Sequence, residues 1–128
     1  MRAPAILPAL VLSLALAACD DGQGEVSEVE AARLTGGNAE RGREALQRYG
    51  CDGCHTIAGV PGADALVGPP LTGIGKRAYV AGVLTNTPEN LVRWIRDPQG
   101  VDSLTAMPNM GVTEPDARDI AAYLYSRR

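Results

Sequence analysis

The sequence predicts a small all-α domain with no sheet, preceded by a short leader and a linker. Three observations predict it. Apolar residues recur at helical spacing in three capped segments, no stretch alternates as a strand would, and the remainder is rich in Gly and Pro.

The first helix is expected from about Ala39 to Gly50. Asn38 is a good N-cap; Leu46 and Tyr49 give an apolar face, with Ala39, Gly42 and Ala45 as small contacts. Gly42 weakens a helix, so a glycine there points to close approach by another helix. Residues 56–82 read as loop, with a helical turn near Leu71–Ile74 or Arg77–Val80. So long a loop in a small domain requires something to hold it. The second helix begins at Thr87-Pro88, carries Leu91, Val92, Trp94 and Ile95 on its apolar face, and ends at Asp97-Pro98. The last begins at Thr113, with Asp116 as a capping-box-like partner and Pro115 in its first turn. Ala117, Ile120, Ala121 and Leu124 repeat along it.

Residues 1–18 read as an export signal: Arg2 followed by an apolar run from Ile6 to Ala18, too short for a comfortable membrane span. Leu16-Ala17-Ala18-Cys19 resembles the bacterial lipobox, which makes Cys19 the lipidated first residue of the mature chain. The other reading is an ordinary cleavage near Ala18 that releases a soluble protein with a spare thiol. Asp20 resembles the aspartate that retains lipoproteins in an inner membrane. Residues 19–37 read as an acidic flexible linker: five acids fall between 20 and 30 with no base. As a flexible chain, residues 20–37 would span roughly 20–25 Å. Residues 38–128 form the folded domain. Residues 31–128 carry 11 basic and 10 acidic side chains, a balance that excludes a nucleic-acid binder by charge.

The chemistry is concentrated in Cys51-Asp52-Gly53-Cys54-His55. C-x-x-C-H is the attachment sequence of a c-type haem. Two thiols at a fixed short separation add across the two vinyl groups of one haem, and the next residue, His55, lies under the iron. His55 is the one histidine of the chain, so no second histidine can complete the axial pair. A zinc site needs about four ligands, and a redox disulfide needs a βαβ context; the sequence offers neither. With no Phe and one Trp, the domain has a thin core that a buried porphyrin would fill. For the sixth ligand, a thioether suits haem iron. Met107 and Met110 lie in one polar loop; Pro108 stiffens the chain beside Met107, which is the choice, with Met110 packing near the haem edge.

From about Asn38 to Leu124 the chain resembles class I c-type cytochromes. The resemblance rests on the Gly42/Tyr49 helix, Cys51–His55, Gly68-Pro69-Pro70-Leu71, the Trp94 helix, and Met107-Pro108 before the Tyr123 helix. It implies a small cytochrome c fold, with first and last helices crossing near Gly42 and Tyr123 around one covalent haem c. It makes Cys51 and Cys54 the thioether attachments, and His55 and Met107 the axial ligands. It makes Pro69 the residue whose carbonyl accepts the other ring N–H of the histidine, and places Trp94, and by extension Tyr79, near a haem propionate.

Ala81-Gly82-Val83-Leu84-Thr85-Asn86-Thr87-Pro88-Glu89-Asn90-Leu91 is similar to the cytochrome c domain fused to subunit II of some bacterial haem-copper oxidases. It implies a lipid-anchored electron carrier at the periplasmic or outer face of the cell membrane, with a terminal oxidase or another respiratory complex as redox partner. With both axial positions filled, the expectation is electron transfer and not enzymatic catalysis. The alternatives are a haem sensor or small peroxidase-like protein with a labile methionine ligand, and a haem-free thiol–disulfide enzyme using Cys51 and Cys54.

Overall fold

The computed structural model describes residues 26–127, so Cys19, Asp20 and the leader lie outside the described residues. Among the described residues five helices follow one another: α1 (Glu28–Thr35), α2 (Ala39–Arg48), α3 (Pro88–Arg96), α4 (Pro98–Val101) and α5 (Glu114–Tyr125). Short 3₁₀ turns lie at Cys51–Gly53 and Ile74–Lys76.

Local chemistry sets the helix starts. The side chains of Asn38, Thr87 and Thr113 accept from the backbone N–H groups of Arg41, Asn90 and Asp116. Each satisfies a donor that the first helical turn leaves unpaired. At Thr113 the reciprocal half of a capping box is altered. The Asp116 carboxylate accepts from the Thr113 hydroxyl, and the Thr113 N–H turns to the Tyr49 hydroxyl.

Helices α2 and α5 form the main crossing. Gly42 meets the backbone of Asp119 and Ile120, and a β-carbon at Gly42 would overlap the Asp119 carbonyl. The crossing point is therefore one turn before Tyr123. Tyr123 instead runs under the loop, its buried hydroxyl donating to the Ala58 carbonyl at 2.7 Å. Asp119 locks the same crossing. It is buried, accepts two bonds from Arg41 at 2.7 and 2.8 Å, and accepts from the Asn38 N–H. A buried carboxylate is tolerable only when its oxygens are paired in this way. Leu46, Ile120, Tyr123 and Leu124 are buried at the centre, each worth about 1.5–3 kcal/mol against exposure.

Two expectations are corrected. A two-stranded antiparallel sheet is present, Tyr79–Val80 (β1) with Leu84–Thr85 (β2), pairing Tyr79 with Thr85 and Val80 with Leu84. Two residues per strand are too few for alternation to show in a sequence. The hairpin is set by its turn, where Ala81 and Gly82 both have positive φ (52° and 76°). Secondly, the acidic linker is not flexible throughout. Ser27 caps α1, and Ala31 and Thr35 bury its inner face on the body of the domain. Arg118 donates to the Thr35 carbonyl and Arg127 pairs with Glu28, so α1 is tied to α5 and the segment after it. Asp97-Pro98 ends α3 as expected and also starts α4, the Asp97 side chain accepting from Gly100 N–H.

Candidate haem site

The loop after α2 builds one wall of the site. Gly50 is left-handed (φ 72°), and the chain then winds through the Cys51–Gly53 turn, with Cys54 and His55 N–H groups both donating to the Cys51 carbonyl. This compact turn sets both thiols and the imidazole around one opening. The following loop is held by the protein itself. Ile57 N–H donates to Ala63, Gly68 N–H to Cys54, Leu71 N–H to Thr56, and the Thr56 hydroxyl to Ala65.

The opening leads to a cavity of about 540 Å³ lined mainly by apolar side chains, within the size range of cofactor sites. The structure brings Cys51, Cys54, His55, Pro69, Tyr79, Trp94 and Met107 together on its walls, with Met110 beside them. Leu46, Leu91, Ile95, Ile120 and Leu124 close the inner end.

His55 is the most constrained of these residues. Its Nδ1 lies 2.7 Å from the Pro69 carbonyl oxygen. A carbonyl only accepts, so Nδ1 carries a proton, and in the neutral ring this leaves the lone pair on Nε2. That is the tautomer a metal ligand requires. Gly68 makes room for the ring: a β-carbon there would overlap Cε1, Nδ1 and Nε2. Met107 is half-buried and its N–H donates to the Thr105 hydroxyl, whereas Met110 is 42% exposed. Trp94 is half-buried in the cavity wall, and among the described residues its indole N–H has no protein acceptor. Tyr79 is exposed at 60% on the rim.

The residues present fit a haem. Two free cysteines and one ligand-competent imidazole border an apolar chamber, with an unspent N–H donor on its wall for an acidic group. Other chemistry fits less well. Burial, followed by the charge of Asp52, pushes the Cys51 thiol up to about 11. Thiol–disulfide enzymes need the opposite shift. No group of three His, Cys, Asp or Glu side chains able to hold a metal ion occurs among the described residues.

The sequence profile of the cytochrome c family matches residues 39–128. The chain belongs to the cytochrome c family. As a c-type cytochrome it carries covalently attached haem c, and Cys51-x-x-Cys54-His55 stands at the attachment position. The cytochrome is 38% identical over 105 residues to cytochrome c oxidase subunit 2 of Alkalihalophilus pseudofirmus, covering 81% of this chain and 29% of the relative. It is 32% identical over 87 residues to cytochrome c oxidase subunit 2 of a Bacillus species, strain PS3, covering 65% of this chain and 24% of the relative. The cytochrome thus spans less than a third of the length of these curated relatives. It is a class I c-type cytochrome related to oxidase subunit II.

Two residues of the site gave no clear sign in the sequence. Arg77 lines the cavity and donates to the carbonyls of Pro70 and Thr72. Asp102, on the loop before Met107, also lines it. Neither belongs to a periodic pattern or a motif.

Proposed function

We propose that this cytochrome is a one-electron carrier, held at the outer face of the cell membrane by a lipid on Cys19. Its partner is a terminal oxidase or a similar respiratory complex. The observation that carries the reading is the placement of His55 and Met107 on one apolar cavity, with the His55 ring already held in the ligand tautomer by Pro69. His55 and Met107 would both hold the iron, and with both bound no place would be left there for a substrate.

Bound haem supplies a ferric–ferrous couple, whose potential a His/Met pair raises. The chain does the rest. Cys51 and Cys54 fix the group to the wall, and the Pro69 carbonyl raises the basicity of His55. Trp94 and Tyr79 offer donors to the propionates. The apolar lining excludes water, so little solvent has to reorganise when charge changes. Residues 31–128 are nearly neutral, which favours weak, transient docking with modest steering. The oxidase partner is supported by the relatives named cytochrome c oxidase subunit 2. The lipid anchor is supported by the Leu16–Cys19 sequence.

The test is reconstitution. The holoprotein, made with its leader in a haem-maturing host, should partition with membranes, and Cys19→Ser should release it. Reduced holoprotein should be oxidised by membranes containing a haem-copper oxidase, in a one-electron titration. Failure of oxidation, with a ferrous iron that binds carbon monoxide readily, would favour the sensor or peroxidase reading.

A further inference from the structure

A line of hydrogen bonds connects the last turn of α5 to the imidazole of His55. It starts at Tyr125, whose buried hydroxyl donates to Asn86 Oδ1 at 2.7 Å. Asn86 Nδ2 donates to two carbonyls, Ile74 at 2.7 Å and Arg77 at 2.8 Å. Those bonds close the Ile74–Lys76 turn from which the Arg77 side chain departs. Arg77 Nη2 donates to the carbonyls of Pro70 at 2.6 Å and Thr72 at 3.0 Å. The same segment presents the Pro69 carbonyl to His55.

Each bond has a directional reason. Carbonyls accept only, so the Asn86 NH₂ must face Ile74 and Arg77, which turns Oδ1 toward Tyr125. Pro69 and Pro70 have no N–H, so this stretch cannot anchor itself through its own donors there. Its backbone donors on either side, Gly68 and Leu71, reach only Cys54 and Thr56, in the same loop. Beside the packing of Leu71 against the core, Arg77 therefore supplies the side-chain hydrogen bonds that tie this stretch to the Ile74–Lys76 turn, and Asn86 holds Arg77. Gly75 completes the contact: a β-carbon there would press on Tyr125 at 3.1 Å.

We infer that Asn86, backed by Tyr125, is a positioning residue for the axial ligand, acting through Arg77 and the Pro69-Pro70 segment. The inference rests on the reading of His55 as that ligand. Held firmly, the Pro69 carbonyl keeps a strong bond from Nδ1–H, which enriches electron density on the ring and favours ferric iron. A loosened segment weakens that bond, exposes Nδ1–H to solvent and raises the midpoint potential.

The experiment compares the ferrous holoprotein with Asn86→Ala, Tyr125→Phe and a control, Asn90→Ala. The control removes an amide bond to the Thr85 carbonyl, outside the line of bonds. Hydrogen exchange of the His55 Nδ1–H, followed by nuclear magnetic resonance, and the midpoint potential are read for each. Exchange in Asn86→Ala should quicken by about tenfold, the scale of one or two lost hydrogen bonds. Tyr125→Phe should move it in the same direction by less. Both should raise the potential, and Asn90→Ala should change neither. Exchange and potential that match the control, even with a lowered melting temperature, would overturn the inference and leave Asn86 a structural residue. Should Asn86→Ala not accumulate with haem, Tyr125→Phe decides alone, since it keeps the ring and its packing. A parent protein without histidine ligation would overturn the reading of the site itself, a result distinct from unchanged variants of a normal parent.

Discussion

Gly68 lies so close to His55 that any β-carbon there would occupy the space of the imidazole ring. The glycine and the adjacent Pro69 carbonyl act as a pair: one admits the ring and the other fixes its tautomer. Gly68→Ala should therefore displace His55 and break its bond to Pro69. The expected outcome is a low yield of holoprotein and a ferric spectrum with altered axial ligation. The measurement is the ratio of haem to protein in purified Gly68→Ala against the parent. An unchanged ratio and spectrum would show that the loop yields without cost.

Gly42 has the same character at the crossing of α2 and α5. Alanine is the better helix former by about 1 kcal/mol. Here that gain is outweighed, because the added methyl would meet the Asp119 carbonyl, and overpacking costs about 1–3 kcal/mol or more. Gly42→Ala should lower the thermal midpoint of the holoprotein with no change in its visible spectrum. A raised midpoint would mean that the helices separate freely.

Acid should weaken the joint between α2 and α5. The hydroxyl of Tyr49, then that of Thr113, holds the Asp116 carboxyl below its ordinary value near 3.8; burial opposes them, and the nearby Arg48 guanidinium adds a lesser lowering. A depressed folded-state pKa gives stability that is fully present above the unfolded value and is lost as pH falls through the folded one. Melting temperatures between pH 6 and 3 should therefore fall more steeply for the parent than for Asp116→Asn. Parallel curves would remove Asp116 from the account. The side chain is partly exposed, so screening keeps the effect small.

The parts legible in the sequence were those written in local chemistry. Asn38, Thr87 and Thr113 announced their helices because a capping side chain acts within three residues of itself. Cys51–His55 announced the cofactor because the haem fixes the spacing. The β1–β2 hairpin did not show, since its two-residue strands carry no period and its turn uses Ala81 in a left-handed conformation usually left to glycine. Helix α1 was hidden by composition. Its acids face water and its buried face consists of the small residues Ala31 and Thr35, which give little apolar signal. Arg77 and Asn86 work through backbone carbonyls, which every residue possesses, so nothing in the sequence marks their partners.

The central claim is that His55 and Met107 together ligate one haem iron. It is tested most directly by the ferric absorption spectrum of the holoprotein beside Met107→Ala and Met110→Ala. The parent should show the weak methionine-to-iron band at the red end of the spectrum. Met107→Ala should lose it, and Met110→Ala, altering a side chain that is 42% exposed, should keep it. A parent without the band, or its loss in Met110→Ala alone, would contradict the claim.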